Sequence, residues 1–162
     1  PLLQKAVAIR PGLDIFHAQL GEVYATTGQA ELALAEAELN KALNPYHLNF
    51  YKSRAKIYLS LTQNEAAAKE LESARSLAPT DPKLAYNLGL VYTRLDKASL
   101  AETQLKDAIA LKPNYAEPYY ALTLLYEQTS QTNKIAPLLE GATTHLATYS
   151  SQLKDKIDKY AP

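Results

Sequence analysis

The feature that most constrains this chain is a period of 34 residues. Proline recurs with this spacing at Pro11, Pro45, Pro79 and Pro113. Tyrosine recurs thirteen residues after each proline, at Tyr24, Tyr58, Tyr92 and Tyr126. Because two residue types keep the same spacing, the period marks a structural repeat. A chain of this kind folds as a stack of similar units that bury their apolar faces against one another.

Each repeat contains two amphipathic stretches of about 14 residues, with apolar side chains at helical spacing, as in Leu84, Leu88 and Val91. Asp81 precedes Pro82 and is placed to cap a helix that this proline opens. Each repeat is therefore expected to be a helical hairpin. The predicted helices cover residues 14–27, 30–43, 48–61, 64–77, 82–95, 98–111 and 116–129.

The turn inside each hairpin needs a residue that can adopt positive φ. Gly28 occupies this place in the first full repeat, and Thr62 and Asp96 occupy it in the next two. The repeating prolines end the second helices, because proline disrupts a continuing helix.

The residues at fixed offsets in the repeat resemble those of the tetratricopeptide repeat family. The third repeat carries the pattern most fully, with Ala85, Leu88, Gly89, Tyr92, Ala101, Leu105, Ala108 and Pro113. The resemblance implies an all-α fold, a right-handed superhelical solenoid of antiparallel helix hairpins with a C-terminal capping helix. We expect one array over residues 1–162. Its parts are the second helix of a truncated repeat (1–11), four repeats (14–47, 48–81, 82–115 and 116–149), and the end of the capping helix (150–162).

Small residues in the pattern indicate close approach of the two helices of a hairpin. Gly21 is expected to face Ala33, and Gly89 to face Ala101, with no side chain holding the helices apart. From Ile135 to Tyr160 apolar residues continue at steps of three and four, which predicts one long helix or two helices broken near residues 149–151. The chain begins in the middle of a repeat, so we interpret it as a piece of a longer protein.

Composition and motifs argue against several classes of function. Seventeen basic and seventeen acidic residues balance, so no overall field attracts nucleic acid, and apolar runs are too short for insertion into a membrane. No cysteine, phosphate-binding glycine loop or nucleophile motif is present. The three histidines, His17, His47 and His145, lack metal-ligand spacing. We expect no catalytic residue, cofactor or metal in this chain, which is therefore not itself an enzyme, and we interpret the histidines as structural or solvent-facing.

Arg54 departs from the pattern, because it replaces the leucine of a buried position. A buried guanidinium requires a hydrogen-bonded partner. We expect a local pair with a carboxylate or a carbonyl, and contact with a ligand is the alternative.

The family resemblance implies that ligands contact the inner face of the first helices. On this face basic residues and tyrosines gather near the middle of the array, which favours an acidic peptide or a C-terminal carboxylate with an apolar anchor. The candidate contacts are Lys52, Lys56, Lys83, Tyr86, Asn87, Leu90, Arg94, Tyr120 and Leu124. A surface kept soluble by lysines is the alternative interpretation of the basic residues.

The five-residue carboxylate clamp of some family members is only partly kept. Lys52 and Asn87 match it, whereas Lys56, Glu117 and Ala121 depart from it, and Glu117 would repel a carboxylate.

The leading hypothesis is a peptide- or protein-binding scaffold within a larger protein. A second hypothesis is a self-assembling spacer, because Leu3, Val7 and Ile9 of the first helix lack a preceding partner. A third is an accessory domain, since residues 44–51 resemble the repeat tails of bacterial membrane glycan polymerases and ligases. That resemblance implies a bacterial, membrane-associated parent, and the sequence by itself leaves the compartment open.

Overall fold

The computed structural model describes residues 2–43 and 47–160, and these two ranges contain helices and no β-strand. The elements are α1 (Leu2–Ile9), α2 (Asp14–Thr26), α3 (Ala30–Leu43), α4 (Leu48–Ser60), α5 (Asn64–Leu77), α6 (Pro82–Arg94), α7 (Ala98–Leu111), α8 (Ala116–Gln128), a 3₁₀ turn (Thr132–Lys134), α9 (Ile135–His145) and α10 (Ser151–Tyr160). Every predicted helix is present, and its ends lie within one residue of the prediction. The all-α fold of antiparallel hairpins is confirmed. Pro45, one of the four repeating prolines, lies outside the described residues.

The turns inside the hairpins share one geometry. Gly28 has a φ of 78°, Thr62 of 58° and Asp96 of 56°, as predicted, and Ser130 continues the series at 58°. In each turn the next residue donates its backbone N–H to the carbonyl of the repeating tyrosine. The four bonds are Gln29 to Tyr24, 2.8 Å; Gln63 to Tyr58, 2.8 Å; Lys97 to Tyr92, 2.9 Å; and Gln131 to Tyr126, 2.8 Å. The repeating tyrosine therefore marks the end of the first helix, where its carbonyl accepts the closing bond.

The start of α6 follows the predicted capping. The carboxylate of Asp81 accepts a hydrogen bond from the backbone N–H of Lys83 at 2.9 Å, and Pro82 occupies the first turn. One of the unpaired donors at the helix start is thereby satisfied.

The helix contacts divide the chain into an N-terminal half (Pro1–Ala78) and a C-terminal half (Pro79–Pro162). In the N-terminal half α2 pairs with α3 and α4 with α5, while α4 also packs on α2 and α3, and α1 packs on α2. The core between these helices contains Leu20, Tyr24, Ala25, Ala33, Ala37 and Ile57. A Cβ at Gly21 would lie 2.7 Å from Cδ1 of Ile57 and 3.5 Å from the carbonyl oxygen of Ala33. Glycine at this position therefore lets α4 as well as α3 approach α2.

In the C-terminal half α6 pairs with α7, α8 packs on both of them, and α9 packs on α8. A Cβ at Gly89 would lie 2.8 Å from Cγ of Leu105 and 3.3 Å from its backbone nitrogen. The nearest residue across the hairpin is therefore Leu105 and not the predicted Ala101. The helix crossing brings the turn after Ala101 closest to the glycine.

The C-terminal segment forms two helices and not one. Leu146 ends α9 in an extended conformation, and α10 begins at Ser151. α10 packs on α8 and α9, as α8 packs on α6 and α7. Tyr160 lies 34 residues after Tyr126 and so continues the tyrosine series. The predicted capping helix is thus the first helix of a fifth repeat.

Two carboxylates connect the last helices. Glu127 on α8 accepts hydrogen bonds from Lys156 and, at 2.8 Å, from the hydroxyl of Tyr160, both on α10. These bonds lower the pKa of Glu127 from 4.5 to about 2. Glu102 on α7 accepts bonds from Lys134 and Tyr126, both at 3.0 Å.

Two opposing effects act on the pKa of Glu102. Burial raises it, but hydrogen bonds from Lys106, Lys134 and Tyr126 outweigh that effect and lower it to about 2. Both carboxylates are therefore stabilised in the charged form by partners that folding brings together.

Candidate binding groove and tyrosine pocket

The inner face of α2 and α4 forms a groove with a volume of about 630 Å³ in the N-terminal half. Each of the two first helices contributes four successive inner-face positions to it. They are Ile15, Ala18, Gln19 and Glu22 on α2, and Asn49, Lys52, Ser53 and Lys56 on α4. The family resemblance implied that the inner face of the first helices carries the ligand contacts, and the two lysines were among the candidate residues.

Glu22 partly balances the positive charge of this groove. The Ser53 hydroxyl donates to one oxygen of Glu22 at 2.6 Å, and Nζ of Lys56 lies 3.5 Å from the other. The Lys56 side chain is nevertheless 68% exposed, and Lys52 is half-buried at the same surface. Among the lining residues, two lysines against one glutamate leave an excess of positive charge that a ligand can reach.

His47 and Phe50 complete the lining of the groove at the start of α4. The Nδ1 atom of His47 accepts the backbone N–H of Asn49 at 3.3 Å, so this imidazole caps the helix. Its ring lies 4.7 Å from the ring of Phe50. Sequence reasoning placed His47 at a turn and did not identify either role.

Arg54 lies in the core and not in the groove. Its side chain is 1% exposed, and its Nε donates to Oε2 of Glu70 at 2.8 Å. Nη2 lies 2.7 Å from the same oxygen, and the guanidinium stacks 4.5 Å from the centre of the Tyr51 ring. Nη1 is buried and has no hydrogen-bond partner within the described residues. This arrangement corresponds to the expected local pair with a carboxylate.

The other histidines also have structural surroundings. His17 is buried, with Nδ1 bonded to the carboxylate of Glu36 and Nε2 2.9 Å from the carbonyl oxygen of Pro11. His145 is exposed at the end of α9. Across residues 2–43 and 47–160, no group of three or more histidine and acidic side chains is arranged to hold a metal ion.

Tyr86 and Tyr120 come together in the C-terminal half, at a pocket with a volume of about 460 Å³. Its lining also includes Glu117, Tyr149, Ser150 and Gln152. Sequence reasoning proposed the first two tyrosines and missed the last three residues. The segment between α9 and α10 has no counterpart in the repeat pattern, so no spacing in the sequence indicated them.

The remaining candidates in the C-terminal half lie on α6 and α8 outside the lining of that pocket. Lys83, Asn87 and Arg94 are exposed on α6, Leu90 is half-buried there, and Leu124 is exposed on α8. Lys52 and Lys56 belong to the N-terminal half. The structure thus brings the candidates together as two groups, the lysines of the groove and the tyrosines of the pocket.

The first helix presents apolar side chains to its surroundings. Leu2 is 83% exposed and Ile9 78% exposed, and no residue of α1 is fully buried. Among the described segments, no helix combines the length and the apolar character needed to cross a membrane.

Comparison with known proteins gives a family match and a fold match. Residues 82–115 match the family model described as tetratricopeptide repeat. No curated protein sequence matches the chain significantly.

Three similar solved structures cover nearly the whole chain. A crystal structure of MamA has a TM-score of 0.75 and 20% identity, and the match covers 99% of this chain and 83% of that one. PilF of Pseudomonas aeruginosa has a TM-score of 0.74 and 19% identity over 98% of this chain and 78% of that one. A thermophilic tetratricopeptide repeat protein of Thermus thermophilus has a TM-score of 0.69 and 23% identity, with coverages of 98% and 87%. At these identities the likeness shows a shared fold.

Proposed function

We propose that this tetratricopeptide repeat chain is a scaffold that binds a peptide segment of a partner protein in the groove between α2 and α4. The fold is in general a scaffold for protein interactions. The observation that carries the proposal is the groove lining, because four inner-face positions from each of two successive first helices meet around one concave space. A concave surface of this size with a few placed polar groups suits a short peptide segment.

The charge of the groove favours an acidic side chain or a C-terminal carboxylate. Lys56 extends into solvent, Lys52 lies at the same surface, and Glu22 is already engaged by Ser53. A ligand carboxylate can therefore pair with Lys56 without first breaking a strong internal ion pair. Phe50 and Ile15 in the lining offer apolar contact for a neighbouring side chain.

The experiment is a titration of the chain against an unbiased peptide array at two salt concentrations. Acidic peptides should bind, and binding should weaken as salt screens the exposed lysines. The double variant Lys52→Glu, Lys56→Glu should lose this binding. Lys69→Glu, a matched charge reversal on the exposed surface of α5, should retain it.

Two results would contradict the groove proposal. One is binding of acidic peptides that the double variant leaves unchanged while its helical content is intact. The other is equal weakening by Lys69→Glu, which would indicate a general charge effect and not a local site.

The self-assembling spacer stays a second candidate, favoured by the exposed Leu2 and Ile9 on α1. Exposed apolar side chains on one face are typical of surfaces that pack on another chain. Sedimentation equilibrium should show association that rises with concentration and is lost in Leu2→Glu, Ile9→Glu. A monomer at the highest concentration tested would remove this candidate. The accessory-domain hypothesis also stays a hypothesis, and residues 44–46 of the segment that motivates it lie outside the described residues.

A further inference from the structure

The tyrosine pocket of the C-terminal half differs in chemistry from the groove of the N-terminal half. Three phenol rings border it, from Tyr86 on α6, Tyr120 on α8 and Tyr149 in the segment before α10. Glu117 in the first turn of α8 lies beside them, and Gln152 adds a neutral amide. The pocket therefore combines several aromatic rings with a carboxylate.

The rings are held by contacts that leave the pocket open. The ring of Tyr86 meets that of Tyr115 edge to face, with centres 5.3 Å apart and an interplanar angle of 65°. Tyr120 is half-buried, and Tyr149 is 39% exposed. The ammonium of Lys112 lies 5.5 Å from the centre of the Tyr115 ring, so a neighbouring ring of this cluster already pairs with a cation.

The charge of the pocket is negative. Glu117 is the one ionisable side chain other than tyrosine among the described residues that line it, and this glutamate is exposed. Burial and then the charge of Glu117 raise the pKa of Tyr86. The same two causes, in the same order, raise the pKa of Tyr115 to about 12.

Helix starts contribute positive potential near the pocket, and side chains offset it. Glu117 lies in the first turn of α8, where a carboxylate balances the partial positive charge of the helix start. At the start of α10 the Ser150 hydroxyl oxygen accepts the backbone N–H of Leu153 at 3.3 Å. The full charge of Glu117 therefore dominates the pocket, since each helix start carries only about half an elementary charge.

We propose that the tyrosine pocket binds a cationic side chain, lysine or arginine, of a partner protein. Aromatic rings attract a cation through their negatively charged faces, and the carboxylate of Glu117 adds a direct ion pair. This site is separate from the acidic-ligand groove and has the opposite charge preference. It also reverses the sequence expectation for Tyr86 and Tyr120, which were assigned to an acidic ligand.

The test uses the chain of 162 residues and blocked five-residue peptides with one central lysine, trimethyllysine, norleucine or glutamate, all other positions being glycine. Binding is followed by amide chemical shifts of the ¹⁵N-labelled protein. The lysine and trimethyllysine peptides should shift the resonances of Glu117, Tyr120 and Tyr149. The norleucine peptide, which has the same chain length without charge, and the glutamate peptide should not.

Variants separate charge from ring. Glu117→Gln should weaken the lysine peptide about threefold to fivefold, as expected for one exposed ion pair. Tyr149→Ala should weaken it by a similar factor, whereas Tyr149→Phe, which keeps the ring, should bind as the original protein does. Glu140→Gln, an exposed glutamate on α9 outside this pocket, is the matched charge control and should have no effect.

Preference for the glutamate peptide would overturn the proposal and indicate an anion site at the helix starts. So would the absence of lysine-specific shifts at millimolar peptide, or equal effects of Glu117→Gln and Glu140→Gln. The double variant Lys52→Glu, Lys56→Glu should leave lysine binding unchanged. A failure of the N-terminal groove is therefore distinguishable from a failure of this pocket.

Discussion

The buried pair of Arg54 and Glu70 makes a quantitative prediction about stability. Replacing Arg54 by leucine restores the residue expected at this repeat position, yet it leaves the Glu70 carboxylate, 12% exposed, without its cation. Removing one partner of a buried ion pair costs about 3 to 5 kcal/mol of stability. Because Glu70 retains some contact with water and leucine keeps the packing, we expect a cost of about 2 to 3 kcal/mol for Arg54→Leu.

The reverse single change should cost more. Glu70→Leu leaves the guanidinium of Arg54, which is 1% exposed, without a carboxylate, so we expect the upper part of the range, about 4 kcal/mol. The double variant Arg54→Leu, Glu70→Leu should be as stable as the original protein, or more stable, because an apolar pair of similar volume carries no desolvation penalty. The buried Nη1 atom, which the described residues leave without a hydrogen bond, favours a gain over a loss.

The assay is urea unfolding followed by circular dichroism, with midpoints and slopes compared across the four proteins. The slope must be reported, because a repeat chain can unfold in more than one step. The cycle should give a coupling of at least about 3 kcal/mol, which is larger than usual for surface pairs. Lys154 and Asp158, an exposed pair one helical turn apart, provide the control cycle, for which we expect no measurable coupling. The reasoning is refuted if Arg54→Leu alone is neutral, or if the double variant is as unstable as the sum of the singles.

Three further predictions concern packing, turns and pH. Gly89→Ala should destabilise the chain by about 1 to 2 kcal/mol in thermal unfolding, because the new Cβ would meet Leu105 at 2.8 Å and the strain exceeds the gain in helix propensity; equal stability would contradict the close approach. Thr62→Gly should raise the free energy of unfolding by up to about 1 kcal/mol, since threonine holds a φ of 58° that glycine adopts without strain, and a loss of stability would be the contrary result. Because folding lowers the pKa values of Glu102 and Glu127 from 4.5 to about 2, their contributions are complete above about pH 4.5 and are lost as the pH falls towards 2. Glu127→Gln should flatten this acid dependence in part, and an unchanged pH profile would count against the hydrogen bonds to α10.

The helices could be predicted from the sequence because their signals are local and repeated. A proline, a tyrosine and a turn residue recur at the same offsets, and each acts within one helical turn of its own position. The turn at Ser130 escaped notice because serine carries no signal for positive φ, although it lies 34 residues after Asp96. Likewise, Tyr160 belongs to the tyrosine series but lies beyond the point where the rest of the pattern fades.

The candidate sites could be predicted only in part. Periodicity placed Lys52 and Lys56 on the inner face of α4, because face is a property of spacing. It could not show that Glu22 would be engaged by Ser53, since that bond joins residues 31 apart and depends on side-chain conformation. Tyr149 joined the pocket through the path of an irregular segment, for which the sequence has no periodic rule.

The shared turn geometry has a mechanical consequence. Each hairpin is closed by a short turn, and its helices contact residues mainly within its own and the adjacent repeat, so a hairpin can detach without unravelling the whole chain. A released repeat of 34 residues lengthens the chain by up to about 115 Å when extended. Under tension the protein should therefore behave as a spring that yields in hairpin-sized steps, and it should recover quickly because each lost contact lies close along the chain.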